Sequence, residues 1–387
     1  MKMHKNLQLG GGSKRGKESK RNERVHSKTE SPTSSGPKKV MQAVVVRGEG
    51  GGPETLQVQT VPRPIPKQDE VLVKVDYAGV NRPDIHQRED MLPPDDRRSH
   101  YLGLECSGSI TEFGVGMSNE DKKAWKLGDK VCAITNGGSY AEYVAVPVGH
   151  LLPIPSSTNL QDAATFPQAA CTVSSELFMK ERLSLRMVSE EPGSRLSSGE
   201  NQTLLIHGGS SGIGTFAIQM AKHQGVTVYV TAGSDEKLKV CEKLGADFCI
   251  NYHKEEFEKE VLKKTAGKGV NVILDCLGDK YFLRNISCLS SGGWLVTIGP
   301  TCNTSVQDSY TFPSERHQVE ACSLRNRTSE DKAEIVEEVK KHVWPAIEAG
   351  KVKAYENNIK PYPFKHAADA HKRMENGNFI GKILLSP

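Results

Sequence analysis

Between Thr203 and Gly299 the chain alternates two textures. Short, nearly unbroken apolar runs ("TLLIH", "VTVYVTA", "FCINY", "VNVILDCLG", "GWLVTIG") are separated by helical stretches such as "TFAIQMAKHQ", "EKLKVCEKLGA" and "EEFEKEVLKKTAG". Strands that alternate with helices in this way specify βαβ units and a parallel sheet. The strands show no in-and-out polar alternation, as expected when helices cover both faces. No other feature narrows the fold as far: this half of the chain belongs to the α/β class.

The first strand meets the first helix at "HGGSSGIG", His207 to Gly214. Gly209, Gly212 and Gly214 give a G-x-x-G-x-G spacing, which by itself fits a ligand-free tight turn. Its context says more. Glycine lets a pyrophosphate approach the backbone, and the N–H groups of a starting helix face the anion. A site for NAD needs an acid at the end of the second strand, to accept from the ribose 2′-OH. Here "VTVYVT" runs into "AGSDEK", so small Gly233 and Ser234 stand at that end with Lys237 within reach. A hydroxyl and an ammonium hold a 2′-phosphate that a carboxylate would repel, so the expected cofactor is NADPH. Asp235 and Glu236 must then point away. Tyr252 in "INY" either stacks on the adenine or is an ordinary strand-end tyrosine; spacing leaves both open. A short-chain dehydrogenase is disfavoured, because no tyrosine has a lysine four positions on and a long β-rich region precedes the loop.

That region, from Met41 to about Ile154, consists of short runs rich in Val, Ile and Tyr, such as "MQAVVV", "EVLVKVDYAG" and "YAEYVAV". A chain of 387 residues with 36% apolar content has material for two cores. No apolar run approaches the roughly 18 residues of a membrane span, so a soluble, cytoplasmic protein is expected. Nine cysteines without CxxC pairs fit a reduced compartment better than a disulfide framework. The net charge of +4 conceals an asymmetry. Residues 1–40 carry eleven Lys and Arg against three Glu, or +8; the remainder carries 40 basic residues against 44 acidic, or −4. The tail holds too few apolar residues to fold by itself. A solvated extension is the plain reading, with a nucleic-acid or nuclear-localisation patch around "SKRGKESKRNER" and an organelle transit peptide as sharper ones.

The segments "GGPETLQV", "VNRPDIHQR", "YLGLECSG", "KLGDKVCAI", "GSYAEYVAVP", "HGGSSGIG", "TAGSDEKL", "LGADFCINY", "VILDCLG" and "NFIGKILL" occur in order from Met41 to Pro387. In them the chain resembles the quinone oxidoreductase (zeta-crystallin-like) branch of the medium-chain dehydrogenase/reductases, most of all its p53-inducible-gene-3-like, plant-type NADPH:quinone oxidoreductases. The resemblance implies a GroES-like catalytic domain over 41–162, completed by 328–387, and a Rossmann domain with a doubly wound parallel sheet over 163–327. It implies NADPH in the cleft between them, Asn81 and Thr172 at the nicotinamide end, and Gly209, Ser210, Gly212, Ile213 and Gly214 along the pyrophosphate. Gly233, Ser234 and Lys237 fall at the 2′-phosphate, Tyr252 at the adenosine, Gly278 near the ribose and Lys382 at the cleft rim. For Lys382 a solvated surface lysine is the competing reading. For His86 a proton donor near the cleft competes with the favoured reading, a satisfied helix or loop histidine.

In zinc-dependent relatives the metal positions correspond to Asn81, Leu104 and Gln168, none a strong zinc ligand. No cysteine lies between Cys106 and Cys132, so a structural zinc lobe is absent as well. The resemblance therefore implies a zinc-independent reductase. Without a Lewis acid, simple carbonyls are poor acceptors, and the implied substrates are quinones or related α,β-unsaturated carbonyls. Two features depart from the family: Leu92 stands where it usually has a tyrosine, and the irregular Thr301–Val319 run replaces a segment that closes the pocket and pairs subunits. A homodimer is expected on the family pattern and is made less secure by that run. The polar 185–202 stretch reads as an inserted surface loop. The competing functional reading is an NADPH-binding scaffold or sensor with little catalysis that touches nucleic acid through the tail; nucleic acid is the weaker expectation.

Overall fold

The computed structural model describes residues 39–91, 99–183, 202–299, 317–355 and 360–387. The readings for Leu92 and almost all of those for the 1–40, 185–202 and 301–319 segments lie outside them.

Six parallel strands form one sheet: β8 (Thr203–His207), β9 (Thr227–Ala232), β10 (Phe248–Asn251), β11 (Val270–Asp275), β12 (Leu289–Ile298) and β13 (Gln318–Cys322). Their spatial order is β10-β9-β8-β11-β12-β13. Numbered from β8 this is 3-2-1-4-5-6, the order of a doubly wound dinucleotide-binding sheet. The apolar runs are explained by cover on both faces. Leu204, Ile206, Val272, Leu274 and Val296 enter one apolar cluster, while Leu205, Ile273 and Leu295 enter another on the opposite face.

The β-rich part contains a sheet ordered β14-β15-β3-β4-β5-β7, with β6 also paired to β3. Its strands are β3 (Glu70–Val80), β4 (Glu105–Phe113), β5 (Lys130–Ile134), β6 (Tyr143–Pro147), β7 (Leu151–Pro153), β14 (Tyr362–Pro363) and β15 (Ile383–Ser386). A separate pair joins β1 (Val40–Val46) to β2 (Leu56–Pro62). The last residues of the chain thus complete a sheet begun near its start. The end region is shared: Ile335, Val339 and Trp344 pack in the same cluster as Leu204 and Ile206, whereas Ala370, Met374, Ile383 and Leu385 pack with β3.

One irregularity in β3 positions the site. Val71, Val73 and Val75 point into the core, and beyond them Ala78 and Val80 do. The parity changes where the β3–β4 register slips between Val75 and Tyr77. A bulge of this kind re-aims the residues that follow it. Ala78 pairs with Cys106 on the core side, so Gly79 and Glu105 meet on the opposite face. A Cβ on Gly79 would lie 2.7 Å from Glu105 Cγ and Cδ, which is why glycine stands there.

Candidate functional site at the glycine loop and the C-terminal strand

The loop after β8 is built for close backbone packing. Gly208 has φ +72°, and a Cβ on Gly209 would meet Val230 Cβ at 2.8 Å. A Cβ on Gly214 would lie 2.7 Å from the carbonyl carbon and oxygen of Gly209. Ser211 caps the helix Gly212–His223 by accepting from the Gly214 N–H at 3.0 Å. A twelve-residue helix opens on this stripped backbone, beside Gly209, Ser210, Gly212, Ile213 and Gly214, and its first N–H groups have the character that anions fit. His207, which opens the motif, is not available for catalysis. Its ring bonds Thr231 Oγ1 (2.9 Å) and Asn285 Oδ1 (2.7 Å), and burial lowers its pKa to about 4.

At the end of β9, Gly233 lies beneath the Tyr252 ring, 2.9 Å from its Cζ as measured from a built Cβ. Ser234 caps the next helix and accepts from the Lys237 N–H. The Asp235 carboxylate is engaged by Asn251 Nδ2 (2.7 Å) and Lys254 Nζ (2.6 Å). Lys237 Nζ donates to the Gly377 carbonyl at 2.6 Å, so it ties this end to the C-terminal region while keeping two N–H groups. At the end of β11, burial lifts Asp275 to about 6; its carboxylate accepts from the N–H groups of Leu277 (2.8 Å) and Gly278 (3.1 Å), and Gly278 has φ +67°. Thr172 is buried in the helix Pro167–Val173.

The two domains meet where the C-terminal strand passes the glycine loop. The Gly381 N–H donates to Ser210 O at 2.8 Å, and Ser211 and Gly381 form a parallel bridge. The next residue, Lys382, runs the Cγ–Cδ part of its side chain across Gly212. Lys382 Nζ donates to Asn81 Oδ1 at 2.6 Å and pairs with Glu105 Oε1. Glu105 is fully buried. Its Oε1 also accepts from Asn81 Nδ2 at 2.9 Å, and its Oε2 from the Gln168 N–H at 2.9 Å. The structure therefore brings Asn81, Lys382 and Gly212 together directly. Among the described residues no hydrogen bond connects Thr172 or Gly278 to that group.

Two family models match the chain: a zinc-binding dehydrogenase domain over residues 212–341 and an alcohol dehydrogenase GroES-like domain over 67–156. The quinone oxidoreductase of Rattus norvegicus is 30% identical over 356 residues, covering 90% of this chain and 98% of the relative. The chain belongs to the medium-chain dehydrogenase/reductase superfamily. Among solved structures, Escherichia coli quinone oxidoreductase complexed with NADPH matches with TM-score 0.73 at 23% identity, over 90% of this chain and all of that one. An NAD-dependent alcohol dehydrogenase matches with TM-score 0.72 at 27% identity, with the same coverage. The chain is thus an oxidoreductase of the medium-chain type, with GroES-like and Rossmann domains.

Several medium-chain positions differ from the sequence reading. Lys382 is not a solvated surface lysine: its side chain is 8% exposed and ion-paired. His86 lies on the helix Arg82–Arg88, and its buried Nδ1 has no hydrogen-bond partner among the described residues, so it is not a satisfied histidine. Burial, and secondarily the Arg82 and Arg325 charges, lower its pKa. The positions that the family resemblance assigns to zinc ligands hold no thiolate, imidazole or carboxylate. Asn81 has its amide engaged at both ends, Leu104 is apolar and buried, and the Gln168 backbone serves Glu105. The cluster of Glu176, Glu320 and Cys322 has ligand atoms within 4.8 Å of one another. Lys180, Arg182 and Arg327 already neutralise its two carboxylates, so it reads as a charge network.

Sequence reasoning missed Glu105. The available signal was a lone acid in the "GLECSG" run, at a strand start flanked by small and apolar residues. It also missed a second buried network. Asp84 accepts from Asn81 N (2.8 Å), Gly103 N (3.0 Å) and Tyr140 OH (3.2 Å). Tyr140 OH in turn meets His371 Nε2 (3.2 Å), whose Nδ1 lies 3.3 Å from Arg88 Nη1. This network fixes the helix that begins at Asn81 from behind.

Proposed function

We propose that the protein is a zinc-independent, NADPH-dependent reductase that passes a hydride to quinones or related α,β-unsaturated carbonyls. The observation that carries this reading is the Asn81–Glu105–Lys382 group. Where metal-dependent relatives need open ligands, this chain has a closed hydrogen-bonded set with an organic cation in it. A reductase without a Lewis acid needs an acceptor already activated by conjugation. The likeness to curated quinone oxidoreductases over nearly their full length supports the same substrate class, and the p53-inducible-gene-3-like branch remains our assignment from the motifs.

In this reading the residues divide the dinucleotide between them. The glycine loop and the start of the helix Gly212–His223 hold the pyrophosphate. Ser234 and Lys237 meet the 2′-phosphate, and Tyr252 covers the adenine from its half-exposed position beside His253. Of the two acids that follow Ser234, Asp235 is held by Asn251 and Lys254, while Glu236 is exposed. Asn81 and Thr172 border the nicotinamide end, and Gly278 lies near the ribose. Bound there, the cofactor supplies the hydride; the protein supplies orientation and exclusion of water.

The test is NADPH oxidation against a panel of simple quinones and enones, with NADH in parallel. Turnover with at least one acceptor, preference for NADPH and indifference to chelators are expected. A folded, NADPH-bound protein that reduces none of them, or one whose turnover a chelator abolishes and zinc restores, rejects the proposal.

A further inference from the structure

The Asn81–Lys382 pair offers a ligand much less than its atoms suggest. Asn81 Nδ2 has two N–H bonds, one directed at Glu105 Oε1 (2.9 Å) and one at Gly79 O (3.3 Å). Asn81 therefore has no donor left. Its Oδ1 accepts from Lys382, which leaves one lone pair. Lys382 has three N–H bonds; Asn81 and Glu105 take two, which leaves one. What remains is one acceptor on a neutral amide beside one donor on a cation. A single buried carboxylate sets both, because Glu105 Oε1 binds the amide and the ammonium together. The Gln168 N–H on Oε2 and the absent side chain at Gly79 keep that carboxylate in place.

A phosphate only accepts, so it would leave the Asn81 oxygen unmatched. A group that both donates and accepts fits the pair: a sugar hydroxyl or a carboxamide. In a dinucleotide such groups flank the pyrophosphate on either side. The Ser234–Tyr252 end takes the adenosine side in the reading above, and Asn81, to which Lys382 donates, is the residue that reading sets at the nicotinamide end. Building on that reading, we propose that Glu105 is a positioning residue. It orients Lys382 and Asn81 as a matched donor and acceptor for the nicotinamide-nucleoside half of the cofactor. It touches no ligand itself.

The test is a thermodynamic cycle with two probes. NADPH and 2′-phospho-ADP, which keeps both phosphates of the pyrophosphate and lacks only the nicotinamide nucleoside, are titrated into the wild type, Glu105→Gln, Lys382→Met and the double variant, well below each melting temperature. Glu105→Gln is expected to weaken NADPH at least tenfold and to leave 2′-phospho-ADP unchanged. In the Lys382→Met background the same substitution is expected to cost nothing further, since residues that act through one another are not additive. Glu105→Asp recovers part of the loss. Additive losses, or NADPH affinity unchanged in a destabilised Glu105→Gln, overturn the proposal and reduce Glu105 to a structural role. Equal weakening of both probes overturns it too, by making Lys382 a phosphate ligand. Should Glu105→Gln not fold, Lys382→Met with the two probes decides: loss confined to NADPH supports the proposal, and no such loss overturns it. Because binding is read without an acceptor, these failures are distinct from the absence of quinone turnover. A wild type that binds neither probe removes the cofactor reading and this inference together.

Discussion

The glycine loop and the Glu105 group lie against each other, yet the chain builds them in opposite ways. The loop is local: eight consecutive residues join one strand to one helix, and backbone conformation does most of the work. The Glu105 group is assembled from positions 79, 81, 105, 168 and 382, and side-chain charge does the work. The first depends on an absence of side chains, the second on three polar side chains held by one backbone N–H and a bare glycine. They should therefore fail differently when a residue is altered.

The largest effect is expected at the loop. In Gly214→Val the new side chain meets the Gly209 carbonyl at 2.7 Å, where only backbone can give way. NADPH affinity should fall by at least ~100-fold in a fluorescence titration. Retained affinity would show that the loop is not where the cofactor is held, and the contrast would break. Next comes the charge group. Lys382→Met leaves the Glu105 carboxylate buried with no opposing charge, which costs ~3–5 kcal/mol. Thermal or denaturant unfolding measures it, and Glu105→Gln added to Lys382→Met should restore most of the stability.

A third prediction compares the domains through pH. Burial lowers His207 and His150 from 6.5 to about 4, and His371 to about 3. These groups stay neutral in the fold while the unfolded chain takes up protons near 6.5. Their stabilising contribution is therefore present above 6.5 and lost as pH falls from 6.5 toward 4. Asp84 and Asp275, raised by burial from 3.8 to about 6, run the other way, holding protons in the fold that the unfolded chain releases. Three histidines against two acids make the net slope a loss on acidification. At 1.36 kcal/mol per unit, His207 alone accounts for about 3 kcal/mol by pH 4. A His207→Gln variant should show a correspondingly flatter stability profile in denaturant titrations between pH 7 and 4. The smallest effect is expected at the ribose end. Ser234→Asp keeps a capping oxygen for the helix Asp235–Lys243 and adds a charge. NADPH affinity should fall about tenfold, near 1.4 kcal/mol, and the NADPH-to-NADH ratio of Kd values reports it.

The same contrast governs what the sequence discloses. The parallel sheet was legible because strand and helix periods are local, and the place of the loop because its glycines sit between an apolar strand and an amphipathic helix. Glu105 was not, since a lone acid at a strand start acquires meaning only when Gly79 lies across from it and Lys382 arrives from more than 270 positions later. The two readings of Lys382 could not be separated without the β15–β3 pairing that carries it inward. His86 shows the reverse. Its helix was readable, but the unpaired nitrogen belongs to the packing of that helix against other segments.

The bond from Gly381 to Ser210 has a kinetic consequence. β15 joins a sheet whose partner strand β3 was laid down some three hundred residues earlier. Contacts of such high order close slowly. During synthesis on a ribosome, the Rossmann strands can pair while the final segment is still being added, but the nucleotide loop lacks its flanking lysine until that segment docks. The Gly381–Ser210 bond and the Lys382–Glu105 pair form only once that segment docks.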